Sequence, residues 1–160
     1  MRPSPPRFIF TLAWTIFIID FVTKSWAISY LSQREPVNLI GSLVKLTFVK
    51  NSGAAFGIAT GATIILSLFA FAVGATIIRY AAMVSSRGWM AVMGLVLGGV
   101  MGNLTDRIFR SPGLLRGHVI DWIELPHWPV FNIADSAIFI ATGIAIVLTA
   151  RNISPLGKKP

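Results

Sequence analysis

The sequence predicts an all-α membrane protein with four transmembrane helices and a small β-hairpin or curved sheet between helices 1 and 2. Hydrophobic residues make up 54% of its 160 residues and charged residues only 12%, whereas soluble domains carry about 25% charged residues. Four apolar stretches come near the roughly 20 residues that a helix needs to cross about 30 Å of hydrocarbon. The length allows one domain, residues 1–160, with no second domain after the spans.

The four spans are predicted at about residues 8–31, 62–78, 89–104 and 131–150. The third span is short and rich in glycine, at Gly94, Gly98, Gly99 and Gly102. Small residues let helix backbones approach closely inside a membrane. We therefore expect the third helix at the centre of the bundle.

Two long loops, at about residues 32–61 and 105–130, separate the spans on one side of the membrane. In the first loop the apolar Val44, Leu46 and Phe48 fall at every second position, which is the pattern of a strand in a hairpin. The second loop carries Trp122 and Trp128, whose amphipathic rings suit the headgroup level. We expect the hairpin to lie on the membrane surface.

The formal charge of +8 does not indicate nucleic-acid binding, because the basic residues are scattered between apolar runs and form no stripe. Anionic lipid headgroups and topology control explain them better, so membrane lipids are the expected partners. The absence of cysteine excludes disulfides and thiolate chemistry. His118 and His127 lie nine residues apart without a zinc-protease motif, and no metal or organic cofactor is expected.

The amino-terminal segment begins with Arg2 and Arg7 before an apolar run, as a cleaved signal peptide would. We expect it to be retained, because cleavage near Ala27 would remove the polar residues of the first span. An even number of spans places both termini on one side. Seven Lys and Arg residues fall on each side, but those of the terminal side are concentrated in tails and a short turn, which predicts cytoplasmic termini.

Polar residues inside or beside the apolar spans are the main functional indication. They are Asp20 with Lys24, Asn103 with Arg107, Asp121, and Asn132 with Asp135. Each ionisable group costs roughly 2.5–3.5 kcal/mol at membrane depth, so a functional role is the default interpretation. The pairs are spaced by three or four residues and share helix faces. At about 1.5 Å per residue they converge near the outer boundary of the membrane, where one inward-facing pocket could hold them.

Two of these residues, Asp121 and Asp135, suggest a hydrolytic reaction. Two carboxyl groups held close together cannot both ionise cheaply and therefore share a proton. One can then act as a base toward water and the other as an acid toward a carbonyl oxygen, which is aspartic peptide hydrolysis. The plainer alternative is that each is an acidic residue favoured by a helix amino terminus.

Other interpretations stay open at this point. Lys24 could serve as the base of a serine protease with Ser25 or Ser136. A small transporter or lipid-binding protein could use Asp20, Lys24, Arg107 and Asp135 as an ion or proton relay.

Individual residues also have structural explanations. Asp20 and Lys24 could form a salt bridge, Arg107 could extend to the headgroups, and Asn51 could belong to a turn. Asp106 is expected to face the interface and is left out of the site.

Five motifs, in order along the chain, resemble those of the lipoprotein signal peptidases, or signal peptidase II. They are Asp20-Phe-Val-Thr-Lys24, Asn51-Ser-Gly-Ala-Ala-Phe-Gly57, Gly98-Gly-Val-Met-Gly-Asn-Leu-Thr-Asp-Arg107, Gly117-His-Val-Ile-Asp121 and Phe131-Asn-Ile-Ala-Asp-Ser136. The resemblance covers nearly the whole chain. It departs from the family at Phe21 and in a short Asp121–Asp135 segment, which bears on the loop over the site.

The resemblance implies that Asp121 and Asp135 are the catalytic pair. The positions that it implies for the pocket or the substrate are Asp20, Lys24, Asn51, Asn103, Arg107 and Asn132. It also implies a four-helix bundle with an extracytoplasmic β-cradle in the bacterial inner membrane. The implied substrate is a diacylglyceryl-modified prolipoprotein, cleaved before its lipid-modified cysteine, and cyclic peptide antibiotics are implied inhibitors.

Overall fold

The computed structural model describes residues 4–53 and 60–156. Its four long helices are α1 (Pro5–Leu31), α2 (Thr60–Tyr80), α3 (Arg87–Phe109) and α4 (Ile133–Ala150), and a 3₁₀ turn, Ala81–Met83, follows α2. Within the described residues, four helices have the length and apolar composition needed to cross a membrane. The predicted fold class is confirmed, and the chain is a multi-pass membrane protein.

Helix α3 lies at the centre of the bundle and packs against α1, α2 and α4, as its glycines predicted. A β-carbon built at Gly98 would lie 2.7 Å from the carbonyl oxygen of Ala13 on α1. One built at Gly99 would lie 2.6 Å from the carbonyl oxygen of Ala134 on α4. Any larger residue at these positions would push the neighbouring helices away.

Three antiparallel strands form one sheet in the order β1 (Val37–Ile40), β2 (Val44–Asn51) and β3 (Val119–Glu124). The predicted hairpin is confirmed as β1 and β2. The third strand lies in the segment between α3 and α4, which was expected to be loop. It pairs with a strand about 70 residues earlier in the chain. In this pairing Val49 lies opposite Asp121.

The sheet packs against the carboxyl end of α1. Ala27 and Leu31 of the helix and Ile120 of β3 form a buried cluster, against which the half-buried Phe48 and Trp122 pack. This apolar contact fixes β3 beside the helix bundle. Asp121 therefore comes from a strand that is held on one side by β2 and on the other by α1.

The third helix continues five residues beyond its predicted end at Leu104. Charged residues such as Asp106 and Arg107 normally mark the end of an apolar span, and the sequence analysis placed them in a loop. In the structure both side chains are buried with partners, so the helix continues to Phe109.

The start of α4 is attached to the sheet by Phe131. Its N–H donates to the carbonyl of Ile123 (3.0 Å), and its own carbonyl accepts from the N–H groups of Trp122 (3.0 Å) and Ile123 (2.9 Å). Asn132, the next residue, is the helix cap. This attachment holds the first turn of α4 against the strand that carries Asp121.

Candidate active site

Lys24 is the buried cation of the site, only 1% exposed. Its ammonium lies 2.7 Å from Asp20 Oδ2 and 2.9 Å from Asp106 Oδ2, and it donates to Asn103 Oδ1 at 2.9 Å. An ammonium group has three donors, and three oxygens surround this one. The predicted Asp20–Lys24 salt bridge is thus present, and Asp20 also accepts from the N–H of Ala134 at the start of α4 (2.9 Å).

Asp106, which the sequence analysis left out, belongs to this cluster. It is 2% exposed and contacts Lys24 with one oxygen and Arg110 Nε with the other. The oxygen facing Lys24 also accepts from the N–H of Ile120 (3.3 Å), the residue before Asp121. The expectation that Asp106 faces the interface is therefore wrong. The missed indication is its spacing of three residues from Asn103 and four from Arg110, which places all three on one helix face.

Two asparagines connect the acidic residues. Asn132 caps α4, because its Oδ1 accepts from the N–H of Asp135 (2.9 Å) and its backbone N–H donates to Asp135 Oδ2 (3.3 Å). The Asn132 side-chain amide is directed at Asp121 Oδ1 (2.6 Å) and Asn103 Oδ1 (3.2 Å). Asn103 in turn donates to Asp135 Oδ1 (2.7 Å). The carboxyl groups of Asp121 and Asp135 are thus linked through two neutral amides.

Asp121 is almost fully buried, at 1% exposure. Its second oxygen accepts from the side-chain amide of Asn51 (2.8 Å). Burial, together with the nearby charge of Asp135, raises the pKa of Asp121 from 3.8 to about 6, against the opposing effect of the hydrogen bonds from Asn51 and Asn132. A carboxyl group with this pKa retains a proton far more readily than an exposed aspartate.

Asp135 is more accessible than Asp121 and lies between two cavities. One is an apolar groove of about 500 Å³, lined by Leu125, Trp128, Phe131, Asp135, Ser136, Phe139 and Ile140. The other cavity, of about 210 Å³, is more polar, and Asn51, Asn103 and Arg107 contribute to its lining. An extended apolar molecule in the groove would therefore pass directly beside this carboxylate.

Arg107, which also lines the polar cavity, binds the two chain segments around Asn51 and Gly117. Its guanidinium donates to the carbonyl oxygens of Asn51 (3.1 Å) and Gly117 (3.0 Å), and it is 8% exposed, so it does not extend to the headgroups. Gly53 lies beside it with φ +78°, and a β-carbon there would be 2.6 Å from Arg107 Nη2. The Asn51 Oδ1 accepts from the Gly53 N–H (2.7 Å), which forms the expected turn.

The charges of the site nearly balance. Its carboxyl groups in the described part of the chain are Asp20, Asp106, Asp121 and Asp135, and its cations are Lys24, Arg107 and Arg110. One proton on these four carboxyl groups would make the cluster neutral. Because a net charge is costly in a buried site, this balance favours one retained proton.

The structure brings all eight sequence-predicted residues into one hydrogen-bonded network. These are Asp20, Lys24, Asn51, Asn103, Arg107, Asp121, Asn132 and Asp135. Of the Asn51–Gly57 motif, residues 54–57 lie outside the described residues. Among the described residues no group of three or more His, Cys, Asp or Glu side chains is arranged to hold a metal ion.

A sequence model of the Signal peptidase (SPase) II family matches residues 12–151 of this chain. The chain belongs to the signal peptidase II family. A lipoprotein signal peptidase of Rhodococcus jostii is 42% identical over 151 residues, which cover 94% of this chain and 76% of that protein. One from Mycobacterium tuberculosis is 42% identical over 150 residues, covering 92% and 74%. Membership in this family makes the chain a protease.

Solved structures show the same fold. One bacterial membrane enzyme superposes with a TM-score of 0.76 at 23% identity, over 95% of this chain and 93% of the other. A second gives a TM-score of 0.77 at 24% identity, over 88% and 91%.

Proposed function

We propose that this signal peptidase II family member is a single-domain aspartic endopeptidase in which Asp121 and Asp135 together activate a water molecule. The observation that carries the proposal is the link between the two carboxyl groups through Asn132 and Asn103. A strand supplies one of the two groups and a helix the other, and the two asparagines fix them relative to each other. The remaining members of the network, Asp20, Lys24, Asn51 and Arg107, support that arrangement.

The two acids have different environments and take different roles. Burial raises the pKa of Asp121 to about 6, so this residue holds the shared proton and acts as the acid. Asp135 is the base, which takes a proton from water while the resulting hydroxide bonds to the scissile carbonyl carbon. Asp121 donates its proton to the carbonyl oxygen. As the tetrahedral intermediate collapses, Asp121 takes a proton back from one of its two hydroxyl groups, the C–N bond breaks, and the leaving nitrogen takes a proton from Asp135.

The proposed substrate is a diacylglyceryl-modified prolipoprotein, cleaved before its lipid-modified cysteine. A signal peptide and two acyl chains are apolar and remain in the bilayer. The apolar groove beside Asp135 exposes Trp128 and Phe139, whose rings contact edge to face at 5.9 Å. This groove provides an apolar surface that leads to the carboxylate, and it is also where cyclic peptide antibiotics would compete.

The proposed location is the bacterial inner membrane, with both termini in the cytoplasm and the site near the extracytoplasmic face. Arg79, Arg87 and Arg151 lie at the helix ends on the terminal side. Positive charges in short loops and tails favour the cytoplasm. The site and the sheet lie at the opposite end of the bundle.

The contacts of Lys24 argue against the alternative functions. A lysine in an ion or proton relay would have to exchange its hydrogen-bond partners. The ammonium of Lys24 is buried, and the three oxygens around it occupy all three of its donors. The serine hydroxyls are also engaged elsewhere. Ser25 donates to the carbonyl of Phe21 (2.7 Å) and Ser136 to that of Asn132 (2.8 Å).

The decisive experiment measures cleavage of a diacylglyceryl-modified prolipoprotein by the purified protein in detergent. Asp121→Asn and Asp135→Asn should each abolish turnover while the helical circular dichroism is retained. Glu124→Gln is the matched control, because this carboxylate lies on the same strand as Asp121 but is 33% exposed and pairs with Lys45. Normal turnover by either aspartate variant would refute the proposal.

A second experiment separates the serine mechanism. The double variant Ser25→Ala with Ser136→Ala should still process the substrate, because each hydroxyl donates to a backbone carbonyl of its own helix or cap. A loss of cleavage without a loss of fold would support a serine nucleophile instead.

A further inference from the structure

A second large cavity lies behind the strand that carries Asp121. Its volume is about 750 Å³, and it lies between the outer end of α1, strand β2 and the carboxyl end of α3. The lining residues are Ile28, Ser32, Gln33, Phe48, Lys50, Phe109, Arg110, Ser111, His118 and Ile120. None of the eight residues of the predicted site lines it.

The polar side of this cavity is basic. Lys50 from β2, Arg110 from the end of α3 and His118 from the segment before β3 all face it, and no acidic side chain contributes to the lining. Among the described residues, Asp106 pairs with Arg110 through Nε. Within residues 4–53 and 60–156, the side chains of Lys50 and His118 form no hydrogen bond or ion pair. Donors from three separate elements are thus available to one anion.

The cavity lies beside an aromatic and cationic cluster at the carboxyl end of α1. Near the outer end of α1, the exposed rings of Trp26 and Tyr30 stack at 5.5 Å, and the Arg34 guanidinium lies 4.0 Å from the Tyr30 ring centre. Exposed aromatic rings with a cation beside them are typical of the membrane interface. Ile28 and Ser32, which line the cavity, belong to the same turns of the chain.

The other side of the cavity is apolar. Ile28, Phe48 and Ile120 line it together with Phe109, whose side chain is 79% exposed. A ligand that matches both sides has an anionic head and an apolar chain. Basic pockets at membrane level bind the phosphate groups of anionic lipids in this way.

We propose that this cavity binds the phosphodiester headgroup of an anionic phospholipid, with Lys50, Arg110 and His118 contacting the phosphate. The first part of an acyl chain lies over Phe48 and Phe109. The site is separate from the proposed catalytic function and can be tested without substrate. It touches the catalytic region at Arg110, which pairs with Asp106, and at Ile120, which precedes Asp121.

The experiment titrates the detergent-purified protein with phosphatidylglycerol or with phosphatidylcholine of the same chains, and measures bound lipid by native mass spectrometry. Wild type should retain phosphatidylglycerol preferentially. Lys50→Gln should weaken that binding about fivefold, the loss expected for one cation near a lipid surface. Adding His118→Ala should weaken it further. The matched control is Lys45→Gln, which removes the same charge from the same strand outside the cavity and should bind like wild type.

Three results would overturn the proposal. Equal binding of the two lipids would indicate adsorption to the apolar surface. Equal losses in Lys50→Gln and Lys45→Gln would indicate a general effect of net charge. Inorganic phosphate that displaces phosphatidylglycerol at equal concentration would indicate a site for a free anion, in which the acyl chain has no part.

Discussion

The substitution Asp121→Asn removes the charge of this residue while keeping nearly the same shape, so its effect on stability should depend on pH. The pKa of Asp121 is raised by burial from 3.8 to about 6 in the folded protein. A raised pKa means that the folded state binds this proton more tightly than the unfolded state. The resulting stability is complete below about pH 4 and is lost as the pH rises through about 6.

The size of the effect follows from this shift. A pKa difference of this size changes the free energy of unfolding by about 3 kcal/mol between low pH, where the group is protonated in both states, and neutral pH, where it is ionised in both. Asparagine does not titrate, so the stability of Asp121→Asn relative to wild type should increase by about 3 kcal/mol from about pH 4 to about pH 7. The variant also disturbs the hydrogen bonds from Asn51 and Asn132. The loss of these hydrogen bonds does not depend on the titration of Asp121. It lowers the stability of the variant by the same amount at every pH and leaves the difference of about 3 kcal/mol unchanged.

The assay is thermal unfolding in detergent, followed by tryptophan fluorescence at a series of pH values. For a chain of this size 1 kcal/mol corresponds to about 2–4 °C, so the melting temperatures should move relative to each other by about 6–12 °C. Glu124→Gln should follow the wild-type curve because its carboxylate is partly exposed. Parallel curves for wild type and Asp121→Asn would refute the raised pKa, and with it the assignment of Asp121 as the acid.

Two further substitutions test the network. Lys24→Met leaves the buried Asp20 carboxylate without its cation and Asp106 with Arg110 alone. It should destabilise the protein by about 3–5 kcal/mol, seen as a large fall in melting temperature; an unchanged value would mean that the ion pairs do not form. Gly53→Ala should lower the cleavage rate by about tenfold or more, because its β-carbon would displace the Arg107 guanidinium. Gly41→Ala is the control in the cleavage assay, since Gly41 also has a positive φ but nothing within 4 Å of the new atom, and equal losses in both would trace the effect to backbone strain.

Local patterns in the sequence predicted much of this fold. Apolar runs of membrane length gave the four helices, and the glycines of the third gave its central position. Alternation along residues 44–48 gave the hairpin. Polar residues spaced by three or four predicted which helix faces meet in the site, because residues at that spacing lie on the same face of any helix.

Features that depend on distant contacts were not predicted. Strand β3 has only six residues, and its partner β2 is far away in the chain, so no local pattern distinguishes it from loop. The end of α3 was misplaced because Asp106 and Arg107 look like surface residues until Lys24 and the carbonyl of Gly117 are known to face them. The same error hid Asp106 from the candidate site.

The hydrogen bonds between Phe131 and β3 make the position of the site independent of the loop that precedes Phe131. Residues 125–130 form the loop between β3 and α4, and the hydrogen bonds between Phe131 and Ile123 close this loop at its base. Within the loop, the carbonyl of Leu125 accepts from the N–H of Trp128 in a tight turn. Insertions or deletions in this turn would alter the rim of the apolar groove without moving either carboxyl group. A change of length here would therefore alter which substrates fit the groove while both carboxyl groups stay in place, and protein engineers could graft new recognition sequences at this position.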